Sequence, residues 1–167
     1  MSDIMYDDPR YRVSWESIAV HDDKNIRGFF GPYRFLSNFW PARVQRGRLV
    51  YSTSEHAYQA AKVRDEERDR FLHVTPAESK KLWKVIGAEL TPSEWHDYKD
   101  EVMAEVVFSK FLLNYDLRQK LIETESRYLE ETNWWADTYW GCDAYSRGQN
   151  KLGKILMRTR AYWRALV

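Results

Sequence analysis

The chain has 167 residues with 26 Lys and Arg against 25 Asp and Glu, which gives a net charge of +1. This length suits one domain with its own core, and the balanced charge implies no strong general attraction to nucleic acid or membranes. The single cysteine, Cys142, excludes an internal disulfide and a thiolate zinc site. The sequence shows no bilayer-spanning apolar run and no apolar signal core, so we expect a cytoplasmic protein with no membrane partner.

Aromatic residues make up 16% of the chain, and eight of them are Trp. Trp and Tyr can fill a core while one polar group stays available for a hydrogen bond. They can also stack on flat rings such as nucleobases. The composition therefore leaves two interpretations open, an ordinary aromatic core and an aromatic-walled pocket.

The first part of the chain divides into a polar segment and a short sheet. Residues 1–26 are polar and aperiodic, and we interpret them as an N-terminal leader, either a tail or a strand-like lead-in. Residues 27–167 then form one domain. Apolar runs at 42–44 and 49–51 flank a turn that contains Gly47, which predicts a β-hairpin.

Helix signals dominate after the hairpin. The segments 75–78 and 91–94 both read Thr-Pro-x-Glu, a capping box with Pro at the first helical position. Caps and apolar spacing predict helices at residues 52–70, 76–87, 92–114, from 116 and at 151–166, with a loop at 133–150. The predicted fold class is α+β, a predominantly helical single domain with a small antiparallel sheet near its N-terminus.

Several common catalytic motifs are missing from the sequence. There is no Gly-rich phosphate loop, no H-E-x-x-H and no G-x-S-x-G, and the four His residues lack metal-ligand spacing. These absences disfavour nucleotide hydrolysis, zinc catalysis and serine hydrolysis. Any chemistry must come from carboxylates, Lys or His without a metal.

A first candidate site lies in the predicted helix that follows the hairpin. Glu55, Gln59 and Lys62 are spaced i, i+4 and i+7 and share one helix face. Small residues surround them: Ala57, Ala60 and Ala61. A carboxylate, an amide and an amine on one stripe can hold a polar ligand. The alternative is a solvated stripe with an ordinary ion pair.

A second candidate site is an acid set among large aromatic residues. Asp137 is flanked by four of them: Trp134, Trp135, Tyr139 and Trp140. Burial raises a carboxyl pKa and suits general acid–base chemistry. The alternative is a capping Asp in a loop that seals the core. The same loop runs through Asn150 into the last helix, where backbone N–H groups can face an anion.

A third candidate site spans residues 33–41, where aromatics alternate with Arg34 and Asn38. Arg binds phosphate as a fork, and Asn pairs with base edges or hydroxyls. The alternative is an edge strand with a turn.

These segments, in this order, resemble the NADAR superfamily, also called YbiA-like. The matching motifs are RFLSNF at 34–39, YSTSEHAYQAAK at 51–62, PAESK at 76–80, WHDYKDEVM at 95–103, KF at 110–111, DTYWG at 137–141 and GQNKLGKILMR at 148–158. The resemblance extends over residues 28–160. It implies a compact, helix-rich α+β fold and an N-glycosidase activity.

The resemblance also implies substrates and site residues. Some members hydrolyse ribosylaminopyrimidine 5′-phosphate intermediates of riboflavin biosynthesis, and others remove ADP-ribose from guanine bases. The expected activity here is hydrolysis of the riboflavin-biosynthesis intermediates. The alternatives are removal of ADP-ribose from guanine bases, or a non-catalytic module that binds ADP-ribose or a nucleotide. The family's functional positions correspond to Glu55, Trp95 and Asp137, and Lys62 and Asn38 match motif positions too. No cofactor or metal is implied.

The residues support a two-carboxylate hypothesis. Glu55 and Asp137 meet across the pocket, where one stabilises positive charge on the ribose and the other handles a proton. Lys62 either binds the 5′-phosphate or forms a Schiff base with an opened ribose. Trp95 either stacks on the leaving base or anchors the core, and Arg34 is a candidate phosphate clamp.

The expected partner is a ribosylated heterocycle phosphate or an ADP-ribosylated base, which leaves nucleic acid as a possible partner.

One loop departs from the family pattern, since residues 142–147 read CDAYSR where Gly-rich sequence is usual. We expect these bulky residues to change the accepted leaving group if the loop borders the pocket. Arg147 in this loop is a second candidate phosphate clamp. The predicted direct contacts with substrate are made by Trp95, Asn38, Arg34, Trp140, Gln59 and Asn150.

Overall fold

A short, fully buried helix packs against the two helices that follow it in the chain. A computed structural model describes residues 17–166. The α-helices within this range are α1 (Ser54–Ala60), α2 (Pro76–Ile86), α3 (Pro92–Leu113), α4 (Tyr115–Glu123) and α5 (Lys151–Arg164). Helix α1 packs against α2 and α3, and α3 packs against α5. All seven residues of α1 are buried, so its small Ala residues allow neighbouring helices to approach closely.

Two small sheets complete the fold. The predicted hairpin is confirmed as antiparallel strands β3 (Val44–Arg46) and β4 (Leu49–Tyr51). A second sheet has the order β1 (Val20–His21), β2 (Asn25–Arg27) and β5 (Tyr128–Glu130). Strands β1 and β2 are antiparallel, whereas β2 and β5 are parallel. This parallel pairing, which the sequence did not predict, carries the chain after β5 towards α1.

The predicted α+β class with a predominance of helix is therefore confirmed. Strand β1 and most of β2 fall inside the predicted leader, 1–26. Residues 1–16 lie outside the described range, so the leader boundary remains a prediction. None of the helices described is long and apolar enough to cross a membrane. The cytoplasmic location likewise remains a prediction.

The helix boundaries follow local capping chemistry. At α2, the Thr75 backbone N–H donates to the Glu78 carboxylate at 2.7 Å, and the Glu78 N–H donates to Thr75 Oγ1 at 3.2 Å. Thr91 and Glu94 form the same capping box at α3, which ends before Asn114 as predicted. Both boxes are confirmed because each depends only on residues three positions apart.

Two predictions of local structure were wrong. The helix expected over 52–70 ends at Ala60, because the Lys62 carbonyl accepts the Glu89 N–H at 2.8 Å instead of continuing the helix. A 3₁₀-helix over Asp65–His73 replaces the rest. The edge strand given as the alternative for residues 33–41 is also wrong, because Gly31–Leu36 forms a 3₁₀-helix with Pro in its first turn.

A buried lysine fixes the segment that leaves this 3₁₀-helix. Lys110, on α3, is 1% exposed, and its Nζ donates to the carbonyls of Phe35 at 2.6 Å and Ser37 at 2.9 Å. Burial lowers the pKa of Lys110 to about 7. The lysine therefore ties α3 to the turn that carries Asn38.

We expect Lys110→Met to destabilise the protein by about 1–3 kcal/mol, because two buried carbonyls lose their donor. Urea unfolding at neutral pH measures this, with the exposed Lys120→Met as the matched control. The control should stay within about 0.5 kcal/mol of the parent protein. Equal unfolding midpoints for the two variants would contradict the structural role of Lys110.

Candidate active site

A cavity of about 220 Å³ opens between the turn after Leu36, helix α1 and the loop that follows β5. Three carboxylates and three cationic side chains line it: Glu55, Glu131, Asp137, Arg34, Lys62 and Lys80. Its aromatic lining consists of Phe29, Phe30, Phe39, Tyr58, Trp135 and Trp140. The aromatic-walled pocket that composition left open is therefore present, and it gathers most of the predicted site residues.

Two residues of the predicted stripe, Glu55 and Gln59, lie on α1, the third, Lys62, follows its end, and all three line this cavity. Glu55 and Gln59 are each 5% exposed, and Gln59 Nε2 donates to Glu55 Oε1 at 2.7 Å. The Glu55 backbone N–H donates to the Asn38 carbonyl at 3.0 Å. A solvated stripe is thus the wrong alternative, since the whole helix is buried. The hydrogen bond from Gln59 fixes the orientation of the Glu55 carboxylate.

Two buried amide oxygens lack protein donors within the described residues. They are Asn38 Oδ1 and Gln59 Oε1, and both side chains line the cavity. Asn38 Nδ2 is engaged with Met103 Sδ at 3.2 Å, which leaves the oxygen as the free end of the amide. Buried acceptors without donors are costly unless a ligand supplies them. Hydroxyl groups of a sugar would do so.

Asp137 caps its own turn, as one of the two alternatives predicted, while its acid–base role remains a prediction. Its Oδ1 accepts the backbone N–H groups of Tyr139 at 3.1 Å and Trp140 at 2.9 Å, so it caps its own turn. The Asn133 side chain holds the Asp137 backbone through bonds of 3.0 and 2.9 Å. The same aspartate lines the cavity. Its turn is therefore rigid and presents the carboxyl group to a ligand.

A third acid, Glu131, was missed by sequence reasoning. Its backbone N–H donates to Asn150 Oδ1 at 3.1 Å, and its carbonyl accepts the Cys142 N–H at 2.9 Å. Gly141 packs so tightly here that a Cβ would lie 2.1 Å from the Glu131 carbonyl oxygen. Burial and, to a smaller extent, the neighbouring Asp137 raise the pKa of Glu131 to about 8. In sequence, Glu130-Glu131 resembles a solvated acidic pair, and no local signal distinguishes it.

Asn150 does not line the cavity, which differs from its predicted contact with substrate. Its Nδ2 donates to the Leu129 carbonyl at 2.9 Å and the Tyr128 hydroxyl at 3.0 Å. The residue has a left-handed backbone, with φ of 48°. Its side-chain hydrogen bonds all go to β5 and to the backbone N–H of Glu131. Asn150 therefore positions Glu131, and its direct contact with substrate is not supported by the cavity lining.

We expect Asn150→Ala to destabilise the protein by about 2–3 kcal/mol, since it removes buried hydrogen bonds and puts Ala in a left-handed conformation. The exposed neighbour Gln149→Ala is the matched control. Thermal unfolding monitored by circular dichroism compares the two variants. A midpoint for Asn150→Ala equal to that of the control would show that these bonds contribute little.

Lys62 lies where two cavities meet. Its Nζ is 4.5 Å from the ring centroid of Trp83, 5.2 Å from Tyr58 and 5.6 Å from Trp95. Burial lowers the pKa of Lys62 to about 8, although the Glu55 carboxylate acts in the opposite direction. Beyond Lys62 is a second cavity of about 250 Å³, lined by Trp83, Ala88, Leu90, Pro92 and Trp95.

The other predicted contacts divide between the two cavities. Arg34 and Trp140 line the main cavity, and the Trp140 ring meets the edge of Tyr58 at 5.6 Å. Trp95 lines only the second cavity and stacks at a tilt on Tyr58, 5.4 Å away. It also packs against the core. Trp95 is therefore both a core anchor and an accessible ring.

The unusual loop at 142–147 does not line either cavity. Asp143 accepts the backbone N–H groups of Tyr145 and Arg147 and forms an ion pair with the Arg147 side chain at 2.7 Å. Tyr145 is 80% exposed. The condition under which this loop should change the leaving group is therefore not met, and Arg147 as a phosphate clamp remains a prediction without support from the cavity lining.

Known proteins share both this sequence pattern and this fold. The NADAR domain family matches residues 26–164. The N-glycosidase Npun_R5314 of Nostoc punctiforme is 36% identical over 141 residues, which is 81% of this chain and 89% of that protein. The N-glycosidase YbiA of Escherichia coli is 33% identical over 133 residues, 77% of this chain and 80% of that one.

The NMR structure of Escherichia coli YbiA superimposes with a TM-score of 0.72 at 26% identity, covering 90% of this chain and 91% of that one. The riboflavin biosynthesis protein VVA0006 of Vibrio vulnificus is 32% identical over 127 residues, 75% of this chain but 34% of that longer protein. The chain belongs to the NADAR domain family.

Proposed function

We propose that this protein hydrolyses the N-glycosidic bond between ribose 5-phosphate and an aminopyrimidine, as found in riboflavin-biosynthesis intermediates. Relatives 33–36% identical to it are N-glycosidases, so the chain is a hydrolase that acts on N-glycosyl bonds. The choice of substrate is supported by the similarity to a riboflavin biosynthesis protein of Vibrio vulnificus.

One observation carries this proposal: a single cavity brings together Glu55, Asp137 and Lys62. Cleavage of an N-glycosidic bond places positive charge on the ribose in the transition state. A fixed carboxylate near that charge stabilises it, because the buried group needs no reorganisation as the charge develops. Glu55, oriented by Gln59, suits this role, and Asp137 suits proton acceptance from the attacking group.

The polar lining fits a phosphorylated sugar. The two unpartnered amide oxygens, on Asn38 and Gln59, can accept hydrogen bonds from ribose hydroxyls. The cavity also holds cations that can bind a phosphate, namely Arg34 as a planar fork and Lys80 as a point charge.

A turnover assay with mass-spectrometric readout tests the proposal. The protein is incubated with a ribosylaminopyrimidine 5′-phosphate, and release of ribose 5-phosphate and the free pyrimidine is the expected result. Glu66→Gln, on an exposed carboxylate outside the cavity, is the control that should retain full activity. Failure of the parent protein to cleave this compound at any concentration would overturn the proposed substrate.

A second candidate is release of ADP-ribose from guanine bases of nucleic acid. The observation that favours it is the aromatic cavity beyond Lys62, where Trp83 and Trp95 offer ring faces to a second heterocycle. ADP-ribosylated guanosine in single-stranded DNA tests this activity. Release of ADP-ribose that falls steeply with added salt would support a nucleic-acid substrate. No release of ADP-ribose would exclude it.

A further inference from the structure

The carboxyl group of Glu131 lines the proposed active site without a role in the mechanism given above. Its Oε2 is buried and has no hydrogen-bond partner among residues 17–166. Asp137 is close enough to raise the pKa of Glu131. The backbone around Glu131 is fixed by Asn150 and Cys142, so the side chain cannot leave the cavity by a shift of the strand end.

We propose that Glu131 is the general acid of this site, which protonates the leaving nitrogen as the C1′–N bond breaks. The inference rests on the proposed function and adds a catalytic residue to it. An acid in this role must carry a proton before the reaction and must touch the leaving group. Glu131 lines the cavity in which a leaving group would lie, and burial beside a second acid favours its protonated form.

The charged groups around Glu131 leave its carboxyl group protonated at neutral pH. Burial and Asp137 raise the pKa of Glu131 to about 8, while Arg34, Lys80 and Lys110 act in the opposite direction. The first two effects are the larger ones, so the group is mostly neutral at pH 7. The remaining charged groups of the cavity are Glu55 and Lys62.

Asp137 is poorly suited to the same role. Its Oδ1 already accepts two backbone N–H groups, from Tyr139 and Trp140. That oxygen acts as an acceptor in the folded protein, whereas Glu131 Oε2 has no donor to satisfy it. Two neighbouring carboxyl groups in different surroundings commonly divide the acid and base roles between them.

The proton and electron balance closes within the site. The electron pair of the C1′–N bond stays on nitrogen, which takes the proton of Glu131. The attacking group, water or the Lys62 amine, forms a bond to C1′ and gives a proton to Asp137. Transfer of that proton from Asp137 to Glu131 restores the starting state. With the amine as attacking group, water hydrolyses the adduct in a second step, so the net reaction consumes one water molecule.

The test compares two leaving groups in a Glu131→Gln variant. One substrate is the ribosylaminopyrimidine 5′-phosphate, whose nitrogen needs a proton to leave. The other is a 4-nitrophenyl riboside 5-phosphate, whose leaving group departs as an anion. We expect Glu131→Gln to lower kcat by about 100-fold or more on the first substrate and by less than about threefold on the second. Glu123→Gln, on an exposed residue of α4, is the matched control.

The pH profile supplies an independent readout. With the pyrimidine substrate, kcat of the parent protein should fall above about pH 8 as Glu131 loses its proton. This alkaline decline should be absent from Glu131→Gln. An equal loss on both substrates, or an unchanged rate on the pyrimidine, would overturn the proposal. Parent protein that cleaves only the nitrophenyl compound would instead overturn the proposed substrate.

Discussion

Replacement of Glu55 by Gln should lower kcat/KM by about 10³-fold or more while the fold stays intact. The carboxylate is 5% exposed and fixed by the Gln59 side chain at 2.7 Å. Removal of its charge takes away stabilisation that is needed only when the ribose becomes positive. The Gln side chain has the same shape, and its amide oxygen can still accept the hydrogen bond from Gln59. The loss should therefore appear in kcat more than in KM.

Steady-state kinetics on the ribosylaminopyrimidine 5′-phosphate measure this loss, and thermal unfolding verifies the fold. The exposed Glu66→Gln is the matched control because it removes the same charge outside the cavity. A Glu55→Gln variant with near-normal kcat would rule out electrostatic stabilisation by Glu55. A higher KM with unchanged kcat would assign the residue to uniform substrate binding instead.

Local signals were sufficient to predict most of the fold. The capping boxes at Thr75 and Thr91 and the Gly47 hairpin depend on neighbouring residues, and each is confirmed. The helix expected to run to residue 70 was wrong because a distant backbone group, the Glu89 N–H, takes the Lys62 carbonyl. Tertiary hydrogen bonds of this kind override local propensity.

The site shows the same division between local and distant information. Glu55 and Gln59 share a cavity because helical spacing puts them on one face of α1, and Lys62 lines the same cavity from the turn after the helix. Glu131 reaches the cavity only through the parallel pairing of β2 with β5, which joins segments far apart in sequence. No local pattern reports that pairing, so the raised pKa of Glu131 is visible only in three dimensions. The role of each residue in catalysis remains a prediction.

Lys62→Met should abolish turnover and at the same time stabilise the protein by about 1–2 kcal/mol. The burial penalty on the ammonium lowers the pKa of Lys62 from 10.5 to about 8. Below about pH 8, Lys62 is charged in both the folded and the unfolded protein, so the full penalty applies. Between pH 8 and 10.5 the unfolded chain binds more protons than the folded protein, so the penalty disappears as the pH rises. The parent protein should therefore gain stability between these pH values, and the Met variant should lack this gain. Denaturant unfolding across the range measures it.

We expect Lys62 to act as a nucleophile that forms a covalent bond to the ribose. With a pKa of about 8, roughly a tenth of the side chain is a free amine at pH 7, which is enough for attack on C1′. Attack on C1′ followed by opening of the ribose ring, whose oxygen takes a proton as the C1′–O bond breaks, gives a Schiff base with Lys62. Borohydride added during turnover should reduce this Schiff base and leave a ribose 5-phosphate adduct on Lys62, detected by peptide mass spectrometry. Lys84→Met is the control, because Lys84 also lies over Trp83 but does not line the cavity, and its adduct yield should match the parent protein. Absence of any adduct during active turnover would exclude the Lys62 amine as the nucleophile. Lys62 would then act in its charged form, as a ligand of the substrate phosphate.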